Sequence, residues 1–541
     1  MSSLKIHLKR LLLWSLFLCV SSSSSAQQFD WATGFGGLGL DVGRAICTDP
    51  DGNVIVVGSF SGSAHIADTF LVGYGNMEAF VAKFTAEGQF LWARVISGDK
   101  EDMARGVVCD ITGSIYVTGH YTDTVVFQVT ETDTISASSA GDQDLFIAKY
   151  DSEGNFLWFR RAGGKGNDTG TDIAYAPWDG KLYISGGFEK RAVFGYTSLL
   201  SIGLTDAFLL KIDPDGNFHW VRSGGGPEHD IASSVAVEEP TGDIFIAGDY
   251  YESAQFGGEQ LVSMGSSDIF LAQFNADGQQ VWIRTCGGTD VDVATNVGCD
   301  LNGNAFVSGY YQGLTFFQNH SVSALSYNDV FLSKFDDDGN CVWLQSAGSY
   351  GLDNCLGMDV AWDGTCYLTG LFEELIVAQN DTATGNGYDI YLISFSPDGN
   401  VNYAHSAGAG SADIGMAVCI GDNECLFVTG YYYFQADFDG NIIGYADYGD
   451  AFLSRFCGIL SVTEVPIYQP DVCFVFDCET QVLSCMCPNI EGWVVYDTLG
   501  RQLVKSSGAQ TLRFNDGVVP LFVNYRGSDA IGGACKVSVI R

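Results

Sequence analysis

From Trp31 to Phe456 the chain alternates short apolar runs with clusters of Gly, Asn, Asp and Ser. Four runs make one period. In the clearest copy they are Arg105-Gly-Val-Val-Cys-Asp110, Ile115-Tyr-Val-Thr-Gly119, Leu145-Phe-Ile-Ala-Lys-Tyr150 and Asn155-Phe-Leu-Trp-Phe-Arg160. Ile111-Thr-Gly-Ser and Asp151-Ser-Glu-Gly are turns, and a Ser/Thr-rich connection joins the second run to the third. β-branched and aromatic residues suit a pleated, half-buried surface, while Gly, Asn and Asp accept the backbone angles of tight turns. The runs therefore predict strands. No long stretch places apolar residues at helical spacing, so the fold class is all-β.

The period is fixed by an aromatic residue after a Gly turn: Trp92, Trp158, Trp220, Trp282, Trp343 and Tyr403, with Trp31 standing alone near the start. Steps between them are 61, 66, 62, 62, 61 and 60 residues. A constant period of this size, with strands inside it, marks a repeat architecture. An acid lies 14 positions before each aromatic: Glu78, Asp144, Asp206, Asp268, Asp329 and Asp389, with Asp450 equivalent in the last repeat. Another Asp lies ten positions after each: Asp41, Asp102, Asp168, Asp230, Asp292, Asp353 and Asp413. Length varies mainly between the end of the second run and the next acid.

Four strands repeated seven times predict a seven-bladed β-propeller, an arrangement that leaves only short, protected sheet edges. The repeats end at Asp450-Ala-Phe-Leu-Ser-Arg-Phe456 with no aromatic strand after them. The spare strand around Trp31 is expected to complete the seventh blade and latch the ring.

Composition narrows the partners. Lys and Arg total 26 against 65 Asp and Glu, a net charge of −39, which removes nucleic acid because phosphate binding needs a basic face. Lys5, Lys9 and Arg10, the apolar stretch Leu11 to Val20, and Ser24-Ser25-Ala26 form a secretory leader cleaved near Gln27. Its apolar part is too short to span a bilayer, and no later run is long enough for a membrane helix. Leu18 before Cys19 does not fit a lipoprotein signal. The expected division is a signal peptide at 1–26, propeller at 27–456, linker at 457–475 and a small β-sandwich-like C-terminal domain at 476–541. Export permits disulfides among the fifteen remaining Cys, and the odd count leaves one unpaired within the chain.

Candidate chemistry is sparse. The Asp ten after each aromatic can be read as a ligand of a cation, calcium being the cofactor to consider, or as a cap on backbone N–H groups; the cap is preferred because every repeat uses it. The Asp-x-Asp-Gly-Asn turns lack the remaining carboxylates of a calcium loop and read as hairpins. The gaps also differ from sialidase Asp-boxes, while Gly-x-x-x-Trp matches quinoprotein propellers, where the shared feature is packing between blades. His65, His120, His219, His229, His320 and His405 show no metal spacing. His229, between Glu228 and Asp230, breaks the repeat and is the best catalytic suspect against a surface-loop reading. No catalytic residue or resident cofactor is assigned.

Asp-x-Phe-(Ile/Leu)-Ala-Lys-(Tyr/Phe), the Gly-Asn turn and Trp-x-Arg-x-x-Gly-Gly make residues 31 to 456 resemble the seven-bladed bacterial β-propeller repeat family. Ser394, where other repeats carry Lys83 or Lys149, and Tyr403 depart from it. Trp493-Val-Val-Tyr-Asp-Thr-Leu-Gly-Arg-Gln-Leu-Val504 and Lys536-Val-Ser-Val-Ile-Arg541 resemble the C-terminal sorting domain of the type IX secretion system of Bacteroidetes. Gly517-Val-Val-Pro-Leu-Phe522 and the extra Cys residues depart from that pattern. The resemblances imply a secreted or outer-surface protein with type IX machinery as a partner, and leave the biochemical role unassigned; the role adopted is a binding or interaction scaffold with a glycan or protein ligand. The alternatives are a propeller enzyme acting on polysaccharide (lyase or hydrolase) or quinoprotein-like, and a structural component of a surface assembly.

Overall fold

A computed structural model of the protein describes residues 27–129, 133–238, 241–421 and 425–457, and the backbone of eight strands between 474 and 540. The leader at 1–26 lies outside the described residues. No helix occurs among those described, so none is long and apolar enough to cross a membrane.

The building unit is a four-stranded antiparallel meander. The first runs through Val42–Thr48, Val54–Phe60, Glu78–Phe84 and Phe90–Gly98. The same order recurs from Asp102–Cys109 to Phe156–Gly164 and from Asp168–Ala176 to Phe218–Gly225. It continues from Asp230–Val237 to Gln280–Gly288, from Asp292–Cys299 to Cys341–Gly348 and from Asn354–Val360 to Val401–Ala407. The last unit has three consecutive strands, Asp413–Ile420, Leu426–Phe438 and Asn441–Cys457. Its fourth is the chain's first strand, Gln28–Gly37, paired from Gln28↔Cys457 to Phe35↔Ala451. The first strands touch one another in sequence order, and Asp413–Ile420 touches Val42–Thr48, so they ring a central channel. The architecture is propeller-like.

The middle strands carry the core. Every residue of Val54–Phe60 and Glu78–Phe84 is buried, because both faces of each sheet pack on neighbouring units. One cluster joins Ile55 and Val57 of the first unit to Ile115, Val117 and Phe146 of the second. The hydrophobic core therefore lies between the units.

The Ser/Thr-rich connection is not a loop. In the second unit Ile115–Gln128 and Thr134–Tyr150 extend the middle strands into a hairpin, with Ile135 opposite Phe127. That hairpin reaches back to the preceding unit, where Ile96 to Gly98 pair with Phe127 to Val125. The alternating Thr134-Ile-Ser-Ala sequence suits an edge with one wet face. A left-handed residue bends the second strand just before the hairpin: Gly62, Asp123, Lys190, Glu252, Gly313, Glu374 and Phe434, with φ between 53° and 73°. Such angles are strained for side chains other than Gly, so the repeated bend is imposed by the pairing on either side.

Beyond the ring, Phe474–Asp477, Val482–Cys485, Thr511–Arg513 and Ser538–Ile540 form one four-stranded sheet. Ile490–Tyr496, Gln502–Ser507, Phe522–Gly527 and Gly532–Lys536 form another. Two expected boundaries move. Cys457, placed in the linker, ends the last strand of the ring and is disulfide-bonded to Cys425. Residue 476 falls inside the strand that begins at Phe474. Phe522, the last residue of the stretch that departs from the sorting-domain pattern, begins the strand Phe522–Gly527.

Candidate functional site

Five of the aromatic residues, Trp92, Trp158, Trp220, Trp282 and Trp343, latch their unit to the next. Trp158 Nε1 donates to the Pro214 carbonyl at 3.0 Å and Trp282 Nε1 to the Asp337 carbonyl at 2.8 Å, each in the following unit's turn. Two residues on, Arg160 Nε donates to the Gly216 carbonyl at 3.0 Å and Arg284 Nε to that of Gly339 at 2.8 Å. The turn glycines lie against these side chains: a Cβ on Gly154 (φ 76°) would come within 2.8 Å of the Trp92 ring. Both the backbone angle and the close approach demand glycine there.

The seven Asp residues found ten positions after the aromatics begin or immediately precede the first strands, and all are buried. They accept backbone hydrogen bonds. Asp168 takes Gly164 N–H at 2.6 Å and Glu189 N–H at 3.2 Å; Asp230 takes Gly226 N–H at 2.5 Å and Tyr251 N–H at 3.2 Å. Asp41, Asp353 and Asp413 do the same, while Asp102 accepts from Thr122 and Asp292 from Gly288 N–H and Thr315.

Each also faces the acid of the preceding unit. Glu78 meets Asp102, Asp144 meets Asp168, Asp206 meets Asp230, Asp268 meets Asp292, Asp329 meets Asp353, Asp389 meets Asp413 and Asp450 meets Asp41. A Cβ on Gly163 would lie 2.6 Å from Asp144 Oδ1 and 2.8 Å from Asp168 Oδ2, which shows how closely the pair converges on that glycine. Asp144 Oδ1, Asp268 Oδ1, Asp329 Oδ1 and Asp389 Oδ1 have no hydrogen-bond partner among the described residues. Burial pushes Asp41, Asp168, Asp230, Asp353 and Asp413 up to about 7, Asp102 to about 8 and Asp292 to about 6, against the pull of the backbone N–H groups.

Three residues further on, the units stop being alike. Every first strand carries a β-bulge, and the extra residue is Arg44, Arg105, Thr171, Ser233, Thr295, Leu356 or Met416. A bulge re-aims a side chain. All seven line one central cavity of about 590 Å³. Thr171 and Thr295 hydroxyls donate to the next first strand, at Ala232 O (2.6 Å) and Cys355 O (3.0 Å). Arg44 and Arg105 sit on adjacent units. Arg44 Nε donates to Ser59 Oγ at 3.3 Å, and Arg105 Nε to His120 Nδ1 at 3.4 Å. Burial, then the charge of Arg105, lowers Arg44 to about 10; burial also lowers Arg105. Both remain cationic at neutral pH. His120 is buried and held near 3 by desolvation and by both arginines, so its ring is neutral. With Nδ1 accepting, Nε2 carries the proton, and it has no partner among the described residues. Tyr431 is close enough to Arg44 for their charges to couple, and its ring meets Tyr433 edge-on at 5.9 Å.

His229, the sequence suspect, is exposed and hydrogen-bonds Thr205 at 3.0 Å across a surface loop, away from this cavity. The seven Asp residues are spread over the seams and meet in pairs with the other acids. The one group of three potential metal ligands among the described residues is Asp30 with Cys425 and Cys457, whose sulfurs are already bonded to each other. Sequence reasoning missed Arg44, Arg105 and His120. The signal for Arg44 and Arg105 was a fixed one, position 13 after each aromatic, where the residue type changes from unit to unit.

The fold and cavity together define a propeller-like repeat protein. No protein-family model matches the chain. It is 23% identical to an uncharacterized WD repeat-containing protein, L264, of Acanthamoeba polyphaga mimivirus, over 61% of this chain and 29% of that protein. It is 26% identical to the regulatory protein FlaEY of Caulobacter vibrioides, over 36% of this chain and 20% of that protein. The chain thus spans less than a third of either relative. Among solved structures, the WD40 β-propeller domain of Doa1 aligns with TM-score 0.41 and 11% identity, over 80% of this chain and 97% of that one. BamB from Moraxella catarrhalis aligns with TM-score 0.34 and 10% identity, over 80% and 99%.

Proposed function

We propose that this protein is a secreted or cell-surface binding scaffold: a seven-bladed propeller, closed by Gln28–Gly37, that takes its ligand in the central channel. The observation that carries the reading is the contrast within one strand. The acid at position ten is the same in all units, while the bulge at position 13 carries Arg, Arg, Thr, Ser, Thr, Leu and Met. A frame that needed only to stand would have no use for that variety; a ligand site has. Export is supported by the leader at 1–26, by the sorting-domain resemblance at 476–541, and by the Cys425–Cys457 disulfide, which suits an oxidising compartment. The two C-terminal sheets fit a small β-sandwich delivered to the type IX machinery.

A glycan, polysaccharide and surface-protein array on the mature chain, with Thr295→Arg as the channel-blocking variant, tests the binding role. Ligands lost with that variant support the channel as the site; ligands that all survive place recognition elsewhere. In the native host, a chain ending at Cys457 should fold yet stay in the periplasm, and its arrival outside would contradict the sorting role.

A second reading, a polysaccharide lyase or hydrolase, draws on Asp249. It occupies on the fourth unit the place that His120 holds on the second, and burial pushes it up to about 7, poised for proton transfer. Release of new reducing or unsaturated ends from any arrayed polysaccharide, lost in Asp249→Asn, would favour that reading.

A further inference from the structure

We infer that the channel binds a sugar acid, with its carboxylate held between Arg44 and Arg105. This rests on the channel being a ligand site and names the ligand's chemistry.

The other structurally placed cations are used up by the protein. Lys83 pairs with Asp49 at 2.7 Å, and Lys211 with Asp179 at 2.9 Å. Arg160 and Arg284 spend Nε and both terminal nitrogens on carbonyls. Arg44 and Arg105 differ. Each makes one long hydrogen bond through Nε, and among the described residues neither terminal fork has a partner and no carboxylate lies within 4.0 Å of either. A chain with 65 acids and 26 bases has abundant means to neutralise two arginines. It instead sets them beside each other, where each raises the cost of the other's charge.

Two guanidinium forks facing one cavity suit a planar carboxylate, which accepts paired N–H donors from each side. His120 beneath them is held neutral, so it adds no charge. Glu101 is close enough to be felt by both arginines. That negative charge, with the acidic molecule around it, resists dianions more than a single carboxylate. The rest of the wall mixes apolar side chains, Leu356 and Met416 among them, with polar ones, and its two acids, Asp172 and Asp359, already accept hydrogen bonds from Ser234 and from Ile420 N–H. Ser233 and Asn296 line the same cavity and can meet sugar hydroxyls, and Tyr431 lies near Arg44. A volume of about 590 Å³ is the size of a small-ligand site.

Calorimetric titration of the full mature chain with methyl β-D-glucuronide, methyl β-D-glucoside, sodium phosphate and sodium sulfate tests this. The glucuronide should saturate one site, weaken with added salt, and bind at least tenfold more tightly than the glucoside or either inorganic anion. Arg44→Gln and Arg105→Gln should each weaken it at least tenfold, Arg105→Lys less so, and Arg191→Gln, on the exposed surface, should leave it unchanged. Melting curves identify any variant that misfolds, and Arg105→Lys then supplies the comparison. Absent glucuronide binding, equal binding of glucuronide and glucoside, or glucuronide binding untouched by both Gln variants overturns the proposal. Phosphate or sulfate binding as tightly as the glucuronide overturns the sugar acid. A glucoside that binds, is lost in Tyr431→Ala and ignores the arginines would overturn the anion and leave the channel standing as a binding site.

Discussion

The seams and the channel wall are built from residues three positions apart on the same strands, and they follow opposite rules. At each seam an Asp accepts hydrogen bonds and faces the preceding unit's acid. At the wall the bulged residue is charged in two units, hydroxylated in three and apolar in two. The seam residues are satisfied mainly by the protein itself. The arginine pair is not, and local rules are most often broken where function demands it. Repetition here marks what holds the ring together, and its breakdown marks where we place the ligand.

The largest effect should come from opening the ring. Deleting residues 27–36 removes the strand paired with Asn441–Cys457 and exposes an edge ready to pair with another chain. We expect this deletion to lower the melting temperature more than any single substitution and to cause aggregation, read by light scattering during the melt. An unchanged curve would mean that the ring closes another way.

Next comes the aromatic latch. Trp282 is 6% exposed, and Trp282→Ala should cost about 3–5 kcal/mol. Trp282→Phe keeps most of the packing and loses the hydrogen bond to Asp337, for about 1 kcal/mol in chemical unfolding.

The acid pairs set the response to pH. The seven Asp residues ten positions after the aromatics have folded values of about 6 to 8, above the unfolded value near 4, so the folded state binds more protons across that window. The stability they contribute is fully present below about pH 4 and is lost as pH rises through 7. The protein should therefore melt higher at pH 5 than at pH 8, once other titrating groups are matched through variants. Asp168→Asn removes the repulsion with Asp144 and should flatten this slope, while its amide nitrogen, a donor, leaves one of the two backbone N–H groups without an acceptor. Asp168→Ala leaves Gly164 and Glu189 N–H groups unmet and should lose about 1–3 kcal/mol at both pH values. If the seam residues are caps, millimolar calcium should leave the melt of wild type and of Asp230→Ala unmoved relative to EDTA. A calcium-dependent rise that Asp230→Ala and Asp353→Ala both lose would make them cation ligands.

The frame was legible because local turn chemistry repeats it. The Gly turn and the following Trp set the strand period, and the unpartnered Trp31 pointed to a first strand that pairs with the last. Contacts between strands were harder to see. Asp144 and Asp168 are far apart in sequence and meet only because the third strand of one unit lies beside the first strand of the next. The hairpins were read only as a Ser/Thr-rich connection because their alternation is written in Ser and Thr. A bulge is a property of pairing, so no single strand reveals that position 13 enters the channel. His229 attracted notice by breaking the repeat in a loop, whereas Arg44 and Arg105 break it inside the frame.

Thermal unfolding of Arg105→Thr tests the contrast most directly. The substitution gives the second unit the residue that the third already uses, one able to donate to the neighbouring strand as Thr171 does. If the arginine pair is held against the interests of the fold, relieving it should raise the melting temperature slightly, by roughly 1–2 °C for about 1 kcal/mol in a ring of this size. A fall of several degrees would show that Arg105 is part of the frame, and would contradict the division between seam and channel.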